Sequence, residues 1–93
     1  MIVGVAGWEL EIIGAQSLKE KRSVVRSLKD RLRARFNVAV AETGYQELWQ
    51  RAEITISTVA ADRRRVEEVV DRADRLVAGE MRARIIDSYR TYY

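Results

Sequence analysis

From Ile2 to Ile12 the even positions (Ile2, Gly4, Ala6, Trp8, Leu10, Ile12) are apolar or small, while Glu9 and Glu11 fall on the odd side. A period of two predicts a strand with one face buried, and Gly14-Ala15-Gln16 breaks it. The period then changes. At about 100° per residue Leu18, Val25, Leu28, Leu32 and Phe36 share one face, which predicts an amphipathic helix. Ser17 opens it, with Glu20 at the capping-box spacing. Asn37 marks its end, and Val38-Ala39-Val40-Ala41 returns to strand character. Residues 44–49 read as a connection. A third strand follows over Gln50–Thr58, where Ala52, Ile54 and Ile56 alternate with Arg51, Glu53, Thr55 and Ser57. Asp62 is a good N-cap for a second helix, whose apolar face is Val66, Val69, Val70, Ala73, Leu76 and Val77, with Gly79 as the expected C′ residue. Within Glu80–Tyr93, Met81, Ala83 and Ile85 alternate with Arg82 and Arg84, a final strand.

The order is β-α-β-β-α-β. Right-handed crossovers and short connections lead from it to an α+β fold, the ferredoxin-like βαββαβ sandwich. Its four-stranded antiparallel sheet carries both helices on one face. The 93 residues suit a single such domain over 1–93. No linker, repeat or low-complexity tract interrupts it.

Charge separates the two helices. Between Ser17 and Phe36 there are eight Lys or Arg against only Glu20 and Asp30, a segment of +6 in a chain of +3. With Val25 at 0°, Lys29, Arg22, Arg33, Arg26 and Lys19 fall on a stripe about 80° wide and roughly 21 Å long. Like charges at Arg22/Arg26 and Lys29/Arg33 cost a few tenths of a kcal/mol each. The second helix carries five Arg and five acids over Asp62–Ala78. Its pairs Arg63/Glu67, Arg64/Glu68, Glu68/Arg72 and Asp71/Arg75 describe an ordinary solvated face. A stripe of five cations suits a row of phosphates. The competing reading is neutralisation within the fold, with Glu42, Glu47 and Glu53 as the candidate acids.

Composition closes several routes. The chain has no Cys and no His, so thiolate sites, disulfides and the commonest general base and metal ligand are absent. Ser17, Ser23 and Ser27 lack a histidine partner, and no phosphate-cradling glycine motif occurs. The expectation is therefore no catalytic residue, no cofactor and no metal. The N-terminal stretch lacks a basic region and turns charged at Glu9, unlike a signal peptide. No apolar run approaches the roughly 20 residues of a membrane span, which points to a cytoplasmic protein with no membrane contact. Trp8, in phase with Leu10 and Ile12, reads as core, while Tyr45 and Trp49 are candidates for base stacking. The third strand lacks the aromatic signature of an RRM.

The phrases Ser17-Leu-Lys-Glu-Lys-Arg22, Arg33-Ala-Arg-Phe-Asn-Val-Ala-Val-Ala-Glu42 and Leu48-Trp-Gln-Arg-Ala52 resemble the YlxP-like family of small bacterial proteins, a domain of unknown function. The likeness covers about Met1–Ala78 and leaves the tyrosine-rich C-terminal end unmatched. It implies a ferredoxin-like fold, and it raises the expectation of an RNA or ribosome partner, because genes of this family often lie beside translation and ribosome-maturation factors. It implies no catalytic residue. Where family members often carry Asp-His-Gln-Asp, this chain has Gly44-Tyr45-Gln46-Glu47, so nothing that needs that histidine carries over.

The combined expectation is a non-enzymatic protein that binds RNA or a ribosomal particle, with Lys19, Arg22, Arg26, Lys29 and Arg33 on phosphates. The alternative is a protein-interaction or homodimerisation module without nucleic-acid binding. It would use the helix-free sheet face, where Glu9, Glu11, Arg51, Glu53, Thr55 and Ser57 lie. A small-ligand sensor is a weaker third reading, which would need an apolar pocket with convergent polar groups.

Overall fold

Alternation in the strands and the 3.6-residue period in the helices resolve into β1 (Ile2–Ile12), α1 (Leu18–Arg35), β2 (Ala39–Gly44), β3 (Arg51–Ala60), α2 (Arg63–Ala78) and β4 (Ala83–Tyr92). These are the elements of a computed structural model that describes residues 1–93. The sheet order is β2-β3-β1-β4, with every neighbouring pair antiparallel. This is the ferredoxin-like βαββαβ topology that the pattern predicts.

Register explains the single core. Ala6 pairs with Ile56, Trp8 with Ile54 and Leu10 with Ala52. All six point to the helix side and join Val24, Val25, Leu28 and Leu32 of α1 and Val70, Ala73 and Val77 of α2 in one buried cluster. Removing a fully buried leucine such as Leu28 or Leu32 from such a cluster costs about 2–5 kcal/mol. Trp8 is core, as expected. Its indole N–H donates to Asp74 Oδ1 at 2.9 Å, which satisfies the one polar atom that burial would otherwise strand. Gly4 permits a close approach, because a Cβ there would overlap Val66 Cγ1 on α2.

Both helix starts follow the capping logic. Ser17 Oγ accepts from the Glu20 N–H at 3.1 Å, and Asp62 Oδ1 accepts from the Arg65 N–H at 2.9 Å. Glu20 reaches back to the Gln16 N–H, one residue earlier than the usual box.

The structure corrects several boundaries. Val24 joins the buried face of α1, whereas Leu18 and Phe36 are half-buried at its ends. Strand β2 runs on to Gly44, because Thr43 forms a bulge that absorbs one residue between Glu42 and Gly44. Gly79 does not adopt the left-handed conformation of a C′ glycine. Its φ is −81°, and its N–H closes α2 on the Arg75 and Val77 carbonyls. Met81 is 90% exposed in the turn before β4, so the last strand begins at Ala83.

Candidate nucleic-acid interface

The geometry of α1 places the predicted cations unequally. Lys19, Arg22 and Arg26 are exposed and line one shallow depression on the outer side of the helix, together with Ser23, Ser27, Asp30 and Arg31. Lys29, at the edge of the stripe nearest the core, is half-buried and lies outside that depression. Arg33 turns toward β2, donating to the Val40 carbonyl at 3.3 Å and lying 3.6 Å from Asp30. Three of the five are thus brought together. Lys19, Arg22, Arg26 and Lys29 have no carboxylate oxygen within 4.0 Å.

None of the three acids expected to neutralise the stripe does so. Glu53 accepts from the Thr43 hydroxyl at 2.6 Å, and Glu47 makes no ion pair. Glu42 goes to Lys21, a cation that the stripe does not include. Lys21 is fully buried. Its Nζ donates to the Tyr45 carbonyl at 2.6 Å and lies 2.9 Å from Glu42 Oε2, a charge contact rather than an aligned hydrogen bond. The pair had a legible signal. On the helical wheel Lys21 falls at about 320°, between Leu28 at about 300° and Leu32 at about 340°. Glu42 is in phase with Val38 and Val40, opposite buried Ile54.

Tyr45 itself has φ 58°, a left-handed conformation that costs a non-glycine residue about 1–2 kcal/mol. Three contacts hold it there. Its carbonyl accepts from Lys21 Nζ and from the Leu48 N–H, and its phenol donates to Glu9 Oε1 at 2.6 Å. That hydrogen bond and the charge of Glu9 raise the phenol above its ordinary value of 10.0. Glu9 also pairs with Arg51 at 2.9 Å.

At the far edge of the α1 depression Arg31 is anchored. Its guanidinium bonds to Glu80, which also accepts from Arg82 Nε at 2.9 Å and from the Arg82 N–H at 2.9 Å. The Arg82 side chain, with help from Arg31, holds the Glu80 carboxyl down at about 2. This cluster ties the end of α2 to α1 and is structural.

The pairing expected along α2 forms only in part. Arg63 meets Glu67 at 2.8 Å and Arg64 meets Glu68 at 3.7 Å. The Glu68/Arg72 and Asp71/Arg75 pairs do not form, because Asp71 instead pairs with Arg90 on β4. Among the aromatics, Tyr45 is taken up by Glu9, while Trp49 stands 52% exposed on the β2–β3 turn. Tyr92 lies under Arg63, 4.5 Å from guanidinium to ring centre. Tyr89 covers Gly7 on the helix-free face, where a Cβ would overlap its ring.

Fold and surface together define a small α+β protein of ferredoxin-like topology with an unneutralised cationic helix. Residues 3–90 match the model of a family described as a protein of unknown function (DUF503). Over 71 residues the chain is 39% identical to the Uncharacterized protein YlxP of Bacillus subtilis (strain 168), covering 76% of this chain and 77% of that protein. The chain belongs to this YlxP-like family. The match extends beyond Ala78 into β4, further than the three sequence phrases reach. A crystal structure of a C-terminal segment of the alpha subunit of aIF2 from Pyrococcus abyssi is also similar, at 16% identity and a TM-score of 0.47. That likeness covers 99% of this chain and 48% of the other. No helix is long and apolar enough to cross a membrane.

Proposed function

We propose that this protein is a non-enzymatic, cytoplasmic RNA-binding protein, associated with RNA or a ribosomal particle, whose outer α1 surface contacts phosphates. One observation carries the reading: Lys19, Arg22, Arg26 and Lys29 have no carboxylate partner, although acids occur throughout the chain. Several acids are committed elsewhere, Glu42 to Lys21, Glu80 to Arg31 and Arg82, and Glu11 to Arg84. A row of cations left open costs helix stability and gains nothing within the fold. A polyanion supplies the missing partners, and arginine suits phosphate oxygens bidentately.

Four contacts to a single-stranded RNA predict that log K falls with log salt at a slope of about −3. The test is a salt titration of binding to bulk RNA and purified ribosomal subunits, comparing wild type with Arg22→Ala/Arg26→Ala. Salt-sensitive binding that the variant loses supports the reading. Binding that ignores salt, or survives the substitutions unchanged, overturns it.

The alternative, a protein-interaction or dimerisation module, has its own observation. The helix-free sheet face exposes Val59 (50%), Tyr89 (46%) and Tyr93 (73%) away from any charge stripe. Sedimentation of the protein at high concentration separates the two: a stable dimer that binds no RNA favours the sheet face.

A further inference from the structure

Counted with its Asp62 cap, helix α2 is neutral in sum and polarised across its width. With Val66 at 0°, Asp74, Glu67 and Asp71 fall at about 80–140°, toward β4, and Arg75, Arg72 and Arg65 at about 180–260°, toward α1. Glu68, at about 200°, and Arg63, at about 60° and over Tyr92 of β4, are the exceptions to that division. Asp71 and Asp74 turn to Arg90 on β4, and Asp74 also accepts from Trp8. Arg65, Arg72 and Arg75 are exposed and reach no carboxylate within 4.0 Å, and neither does Arg35 at the end of α1. These arginines line two adjoining depressions between the helices, which share Arg35, Arg72 and half-buried Phe36 and together make one notch. One acid lines it, Glu68, which is paired with Arg64.

We propose that this notch is a second phosphate-binding surface, formed by Arg35, Arg65, Arg72 and Arg75, and that its ligand is the phosphodiester backbone of the RNA engaged by the outer face of α1. The inference rests on the RNA-binding reading and extends it to the other flank of the helix layer. The chemistry is specific in two respects. All four cations are guanidiniums, whose fixed fork matches two phosphate oxygens at once. They also come from two elements, so the fold and not a local charge run assembles them. Arg33 and Arg35 leave the end of α1 on opposite flanks, Arg33 toward β2 and Arg35 into the notch. A strand that follows the α1 stripe and rounds that end meets the notch next.

The test is fluorescence anisotropy of a labelled single-stranded RNA across a salt series. Wild type is compared with Arg72→Ala/Arg75→Ala, Arg22→Ala/Arg26→Ala, and Arg51→Ala/Arg84→Ala on the helix-free sheet face. The last removes the same charge from arginines that already have carboxylate partners, and thermal melts confirm that every variant is folded. Loss of two phosphate contacts in Arg72→Ala/Arg75→Ala lowers the salt slope by about 1.4, while the Arg51/Arg84 variant keeps a slope nearer that of wild type. A wild-type slope in Arg72→Ala/Arg75→Ala overturns the notch, as does an equal loss in Arg51→Ala/Arg84→Ala, which would reduce the effect to net charge. Binding lost only in Arg72→Ala/Arg75→Ala removes the α1 surface and leaves the notch standing. A wild type that binds no RNA at low salt removes both.

Discussion

Lys21 is fully buried, while Arg22, its neighbour in the chain, is exposed and has no carboxylate within 4.0 Å. One residue of rotation, about 100°, separates a cation that holds the fold together from one left available to a ligand. The lesson concerns the charge count. The +6 of this segment overstates the accessible stripe, because Lys21 is spent on Glu42, Arg31 on Glu80 and Arg33 in part on Asp30. Apart from Arg35, which turns into the notch, the remainder lies on one side of the helix and is sharper than the total.

The largest effect separating the two kinds of cation belongs to Lys21. Lys21→Met leaves Glu42 under α1 without its partner, and breaking such a pair costs about 3 kcal/mol, the low end of the usual range because Glu42 keeps some contact with water. Urea unfolding measures it. A second change, Glu42→Gln, restores a good part of the loss. If Lys21→Met proves neutral, the contrast with Arg22 collapses.

Glu80 tests whether Arg31 belongs with the anchored cations. Its carboxyl is depressed from 4.5 to about 2 in the folded protein. Its stabilising contribution is therefore complete above pH 4.5 and is lost as pH falls toward 2. With Arg31 and Arg82 both partly in water, that contribution is about 2 kcal/mol. Thermal melts across this acid range show the decline, and Glu80→Gln flattens it. An unchanged acid limb in the variant would free Arg31 from its structural role.

The smallest effect falls on the open stripe. Arg22→Ala/Arg26→Ala removes a like-charge i,i+4 pair and no partner, so stability changes by less than about 0.5 kcal/mol, toward a gain. Urea midpoints of the same variant used for RNA binding report it. A loss as large as that of Lys21→Met would mean that these arginines hold the fold, and that their openness is not evidence of a ligand.

Much of this is legible in the sequence alone. The strand alternation of β1 and β3, the caps at Ser17 and Asp62 and the inward place of Trp8 follow from local rules that act within a few residues. The stripe on α1 was legible for the same reason, since a helical wheel needs only its own segment. Lys21 between Leu28 and Leu32 on that wheel, and Glu42 in phase with Val40, were readable too, yet each looks like an error until the other is placed opposite.

The chain's local periodicity determined the elements, their order and therefore the ferredoxin-like sandwich, because burying one face of each element leaves few ways to stack them. Tertiary structure alone decided where the acids went. Arg72 and Arg75 have Glu68 and Asp71 at helix-pairing distance, but Arg64 and Arg90 hold those carboxylates instead. The choice of Arg90 depends on β4 lying beside α2, and the notch depends on α1 ending against α2. An ion pair is a competition among all neighbours in space, whereas spacing along a helix reveals only the competitors on that helix.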